Sequence, residues 1–275
     1  MAPSNPVIFV PGITATYLRD EYPLPPEIVW SVMSKSFERV LLHPDDLRYE
    51  MIEPARIAPD HIFEIAYREI IEELRDNLSD DEDHPVPVFP FSYDWRHPLA
   101  ASQAQLGSFI QEVIARTKLI KHYHDAGYGD DPKVNLIGHS MGGLVITEYL
   151  LHAGAQAKVE KVATIAAPFQ GSLEAPLKIT TGLAELGTGA ASSRERHTSR
   201  LTPALYHLLP DFEGAIQADE GIPESLFDSA SWQPSVLRTL TRFIEMRGLD
   251  PENPAEQAHQ LFLNMLGVAR DTASG

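Results

Sequence analysis

The chain has 275 residues and no cysteine. That absence excludes a disulfide framework, a thiolate metal site and a cysteine nucleophile, and it fits a reducing compartment. Long apolar runs are missing as well. No stretch approaches the ~18 residues that would span a bilayer, and the N-terminus M-A-P-S-N-P sets no basic segment before an apolar core. The residues given therefore read as soluble and cytoplasmic. Cations are scarce: 22 lysines and arginines face 39 aspartates and glutamates, a formal charge of −17. Such a surface repels phosphates and argues against nucleic acid or an anionic membrane as a partner. The acidic run at 77–83, N-L-S-D-D-E-D, lacks the alternating carboxylates and glycine turn of a calcium loop, so it is given no metal role. Strand patterns are absent after residue 172, and no repeat or low-complexity tract occurs; the small, polar run at 187–193 reads as a mobile loop.

What is present centres on residues 134–143, V-N-L-I-G-H-S-M-G-G. Val134, Leu136 and Ile137 form a short apolar strand, Gly138 to Gly142 follow at once, and a helical pattern runs behind them. Strand, tight turn and helix make a nucleophile elbow. Ser140 would stand exposed above the sheet in strained backbone, with glycines on either side allowing neighbouring chains to approach. The helix behind it offers unpaired amides and a positive dipole end, so the Met141 N–H can receive a developing oxyanion. His139, adjacent in the turn, points away from the serine and is read as packing.

Upstream, Pro6-Val7-Ile8-Phe9-Val10 is a buried strand that breaks at Pro11-Gly12. The loop after it can supply the second oxyanion amide, from Ile13, although a plain type II turn fits the same dipeptide. Residues 21–56 show no dominant pattern. From Asp60 the positions Phe63, Ala66, Ile70 and Leu74 suggest an amphipathic helix. A second strand at 86–91, with prolines that suit a sheet edge, leads into Ser92-Tyr93-Asp94-Trp95-Arg96-His97. Apolar residues from Leu106 to Ile120 mark a long helix, and 159–165 is a further strand that runs into Ala166-Ala167-Pro168-Phe169-Gln170-Gly171-Ser172. Four strands separated by helices imply an α/β fold, a parallel doubly wound sheet with its site at the carboxyl ends of the strands. The expected division is a core over 1–172 and a mainly helical cap over 173–275. Helices are expected around Val236, Leu237, Leu240, Phe243 and Ile244, and again after Asn253-Pro254-Ala255-Glu256. The apolar segment 201–212 can line an acyl pocket or simply pack.

Four motifs, V-I-F-V-P-G-I at Val7, Y-D-W-R at Tyr93, G-H-S-M-G-G at Gly138 and I-A-A-P-F-Q-G-S at Ile165, resemble in this order the lecithin:cholesterol acyltransferase-like branch of the α/β-hydrolases. The resemblance covers roughly residues 6–212. It implies an α/β-hydrolase fold with a helical cap and acyl transfer from an acyl ester through Ser140, with Ile13 and Met141 amides holding the oxyanion. It implies no metal or cofactor, a lipid or small acyl ester as partner, transient interfacial contact through the cap, and pairing of Asp94 with Arg96 below the site. The family completes its site with an aspartate after the next strand and a histidine after the last one, and no such segments are present here. A serine hydroxyl needs a base. Three explanations follow: the acid and histidine lie on further chain, one of His97, His207 and His259 is the base, or the domain only binds acyl ligands or a partner. An exposed sheet edge is expected if the last strands are absent.

Overall fold

The computed structural model describes residues 4–79, 81–183, 192–247 and 252–273. In chain order the elements are β1 (Val7–Val10), β2 (Thr16–Asp20), β3 (Glu27–Trp30), β4 (Ile57–Ile62), α1 (Glu64–Leu78), β5 (Val88–Pro90), α2 (Leu99–Thr117), α3 (Lys121–Asp125), β6 (Val134–His139) and α4 (Met141–Ala153). After them come β7 (Val159–Ile165), α5 (Glu174–Thr181), α6 (Ser193–Leu201), α7 (Pro203–Tyr206), α8 (Pro234–Arg247) and α9 (Pro254–Ala273).

Strands β5, β1, β6 and β7 pair in that order, all parallel, as the sequence implies. Strand β1 shows why both faces must be covered. Ile8 and Val10 point into a large apolar cluster with α2 and α4, while Val7 and Phe9 meet Tyr67 and Ile71 of α1 on the other side. All four residues are buried; a fully buried Val, Ile or Phe contributes about 1.5–3 kcal/mol relative to exposure. The cluster on the α2/α4 face continues without a break into α5, α7, α8 and α9, so the C-terminal helices share the core of the sheet. Strand β5 lies at the sheet edge, where its prolines fit.

The other edge is different. Every residue of β7 after Val159 is exposed, including Val162 and Ile165. The open edge expected from the missing strand patterns is therefore present.

Several local expectations change. Within residues 21–56 the one strand is β3; with β2 and β4, which flank this stretch, it forms a separate antiparallel sheet in the order β3-β2-β4 that the sequence reading did not anticipate. Asp60 lies in β4, and the helix starts only at Glu64 with Tyr67 and Ile71 on its buried face and Ala66 exposed. Helix α2 stops at Thr117, so Ile120 is not part of it but precedes the short α3. Of the run read as a mobile loop, 187–191 lies outside the described residues; Ser192 caps α6, its side chain accepting from the Glu195 N–H. The helices anticipated near Val236 and after Asn253 are α8 and α9, with Val236, Leu240, Phe243 and Ile244 buried on the first and Phe262, Met265 and Leu266 on the second.

Candidate active site

Backbone strain singles out one place. Among the described residues three non-glycine residues have left-handed φ values, Thr14 at 63°, Ser140 at 53° and Ala166 at 49°. All three line the same cavity, of about 250 Å³. Such conformations cost on the order of 1–3 kcal/mol each, and a fold keeps them only where packing over-determines them. Apolar walls come from Ile13, Trp30 and Trp95 on one side and Pro168, Leu205 and Leu208 on the other.

Ser140 enters this cavity at the turn between β6 and α4. Its N–H donates to Ile165 O at 2.9 Å, and its own carbonyl accepts from Gly143 N at 3.0 Å. The turn is jammed against β1: a Cβ added to Gly142 would stand 2.2 Å from Val10 O. Only glycine fits there. Met141 follows as the first residue of α4, and its N–H makes no turn or loop hydrogen bond among the described residues. It sits at the positive end of the helix dipole, where a forming anion is favoured.

The loop after β1 passes directly over the serine. A Cβ on Gly12 would come within 3.0 Å of Ser140 Cβ. Gly12 is not left-handed and Thr14 is, so the turn is not the plain type II alternative. Three bonds hold the loop: Tyr93 Oη donates to Pro11 O at 3.1 Å, Trp30 Nε1 to Thr14 O at 3.0 Å, and Gly12 N to Tyr67 Oη at 3.1 Å; Tyr67 Oη in turn meets His139 Nδ1 at 2.9 Å. The Tyr67 oxygen accepts from Gly12 and shares a further hydrogen bond with His139 Nδ1, whose direction follows the imidazole tautomer. Burial lowers the His139 pKa, which favours the neutral imidazole. His139 thus does more than pack, since it ties the elbow to the loop through Tyr67. Sequence reading overlooked Tyr67; its place on the same helical stripe as Phe63, Ile70 and Leu74 was the available signal.

Below the cavity, Arg96 is 1% exposed and doubly paired. Its Nε and Nη2 donate to Asp94 at 2.8 and 2.6 Å, and Nη1 and Nη2 to Glu50 at 2.6 and 3.1 Å. Burial alone would raise the Asp94 pKa, but the Arg96 charge outweighs it and holds the carboxyl well below its usual range. The pairing implied for Y-D-W-R is present, with Glu50 as an added third member. Trp95 from the same motif packs at 4.9 Å on Trp30 and walls the cavity.

The three histidines weighed as bases do not meet Ser140. His97 Nε2 stands 3.4 Å from Asp94 Oδ2 and belongs to the buried ion network. His207 lines a separate cavity with Leu42, Pro98 and Met265, takes the Leu99 N–H at 3.4 Å, and is pushed by burial down to about 4. His259 is exposed on α9. None of them lines the Ser140 cavity. No group of histidines and carboxylates able to hold a metal occurs among the described residues. The structure thus brings together Ser140 and the Ile13 and Met141 backbone, and leaves the candidate bases apart.

The family model for lecithin:cholesterol acyltransferase matches residues 65–246, about two thirds of the chain. The chain belongs to the lecithin:cholesterol acyltransferase family. This family member also aligns with a chain in the crystal structure of the Tle4-Tli4 complex, with a TM-score of 0.63, 15% identity, and coverage of 99% of this chain and 73% of that one. At that identity the likeness shows the fold, which is of α/β-hydrolase type. No curated protein matches the chain. No described helix of this family member is long and apolar enough to cross a membrane.

Proposed function

We propose that the chain is a serine esterase, lipase or acyltransferase. Ser140 attacks the carbonyl of an acyl ester, the Ile13 and Met141 N–H groups receive the oxyanion, the ester C–O bond breaks and its alcohol leaves with the proton given up by Ser140, and water or an acceptor alcohol then takes the acyl group and returns a proton to the serine. The observation that carries this reading is the convergence of all three left-handed non-glycine residues of the described chain on one cavity with Ser140 in its wall. Membership of the acyltransferase family supports the acyl ester as substrate class.

In this reading residues 1–172 are the core and 173–275 the cap, whose Leu205 and Leu208 give the acyl chain an apolar wall. Transient contact with a lipid surface is supported by exposed apolar side chains beside the lining residues, Phe169 at 57%, Leu173 at 59% and Leu177 at 57%. An uncompensated group of this kind at a site mouth favours a lipid interface.

A second reading, a module that binds acyl ligands without turning them over, rests on the absence of histidine from the cavity lining. Turnover of p-nitrophenyl esters from acetyl to long chains, by the wild-type chain and Ser140→Ala, separates the two. Hydrolysis lost in the variant supports the enzyme. Inactivity of folded protein at every chain length, with retained binding of long-chain esters, supports the module. Added alcohol then distinguishes hydrolase from transferase by the product formed.

A further inference from the structure

The polar lining of the Ser140 cavity is largely spent on the protein itself. Thr198 Oγ1 donates to Phe37 O at 2.7 Å and Thr202 Oγ1 to Thr198 O at 2.8 Å. Both wall tryptophans give their indole N–H to backbone carbonyls, Trp30 to Thr14 at 3.0 Å and Trp95 to Thr16 at 3.2 Å. Lys178 on α5 is the exception. Its side chain is only 20% exposed, and its one carboxylate contact is Glu174 at 4.0 Å, itself 57% exposed. Its ammonium makes no hydrogen bond among the described residues. An ammonium with three donors and one distant counter-charge has donors to give a ligand in the cavity.

A second lysine stands nearby. Lys35 Nζ lies 5.7 Å over the ring of Trp30, another wall of the same cavity. Burial and the proximity of Lys178 both pull the Lys35 pKa down, which places the two ammonium groups in one electrostatic neighbourhood. A chain of charge −17 thus sets one cation in the lining of the Ser140 cavity and a second beside its Trp30 wall.

We propose that Lys178 is a specificity residue that binds an anionic group, phosphate or carboxylate, carried by the acyl ester near its scissile bond. The proposal rests on the reading of this cavity as the substrate site. The anion replaces a 4.0 Å contact with charge-assisted hydrogen bonds, which are the strong ones. Ile13, Leu205 and Leu208 take the chain, and Lys178 takes the head. Glu174, one turn away on the same helix, competes with the substrate for the ammonium. The overall negative charge opposes the approach of any anion from bulk solvent, so selection rests on this short-range contact.

Calorimetric binding to Ser140→Ala protein tests the proposal without requiring turnover. The probes are monododecyl phosphate and laurate below their micelle concentrations, 1-dodecanol, and inorganic phosphate. Either anionic amphiphile should bind more tightly than dodecanol. Lys178→Met should weaken the anion by about tenfold, the order expected for losing one charge-assisted bond, and leave dodecanol unchanged. Glu174→Gln should shift the anion the other way, toward tighter binding. The stronger of dodecyl phosphate and laurate identifies the head group, and tight binding of inorganic phosphate alone would mean a free-anion site and overturn the ester assignment. Equal affinity for anions and dodecanol, or anion affinities that neither substitution moves, would overturn the role of Lys178 while leaving the cavity as an acyl site. Binding of none of the amphiphiles would overturn both.

Discussion

Strands β1 and β7 flank the same nucleophile strand and end beside the same serine, yet they are built oppositely. All four residues of β1 are buried, and the loop that leaves it is held by Tyr67, Tyr93 and Trp30. Beyond Val159, β7 is exposed throughout, and one of its edges is unpaired among the described residues. The side of Ser140 toward β1 is enclosed by packing. The side toward β7 is exposed. A rigid β1 side and an exposed β7 side are therefore two faces of one asymmetry, because pre-organisation needs a packed shell and β7 beyond Val159 is held only through its pairing with β6.

If the packed side is as over-determined as its contacts imply, substitutions there should be costly. Arg96→Met leaves Asp94 and Glu50 buried without their cation, and urea denaturation should show a loss of about 3–5 kcal/mol. A loss under 1 kcal/mol would break the comparison. His207 gives a pH-dependent version. Its pKa falls from about 6.5 in the unfolded chain to about 4 in the fold, so the unfolded state binds more protons between those values. Stability should be full above pH ~6.5 and decline by up to about 1.4 kcal/mol per unit as pH drops toward 4. His207→Phe should flatten that slope in urea midpoints measured from pH 5 to 7.

Smaller effects sharpen the contrast. Tyr67→Phe keeps the ring against Phe9 but removes the hydroxyl between Gly12 and His139. Loss of about 1–2 kcal/mol should be accompanied by slower acylation of Ser140 with little change in ester affinity. A purely structural tyrosine would cost stability alone. On the bare side, Val162→Thr should stay within about 0.5 kcal/mol of wild type; a large loss would mean that β7 is covered in solution, and sedimentation of the same sample would show the partner.

The parallel sheet and the elbow were legible because both rest on local patterns: a short β-branched run, a glycine pair and an amphipathic helix, repeated in order. The antiparallel sheet was not. Its strands β2 and β4 carry Arg19, Asp20, Pro59 and Asp60, so no apolar alternation marks them, and their pairing joins segments far apart in the chain. The same distance hid Glu50, which finds Arg96 across 46 positions. Ser140, Ile13 and Met141 could be named because motif and strand ends locate them. The fates of His97, His207 and His259 could not, since whether a histidine meets a serine depends on tertiary packing that leaves no trace in spacing.

The most direct measurement of the central claim is intact-mass analysis after a fluorophosphonate is incubated with the wild-type chain and with Ser140→Ala. The proposed role of Ser140 as nucleophile predicts one adduct per wild-type chain, mapped to the Ser140 peptide, and none on the variant. Unlabelled wild-type protein that remains folded, or an adduct that persists in Ser140→Ala, would contradict the account.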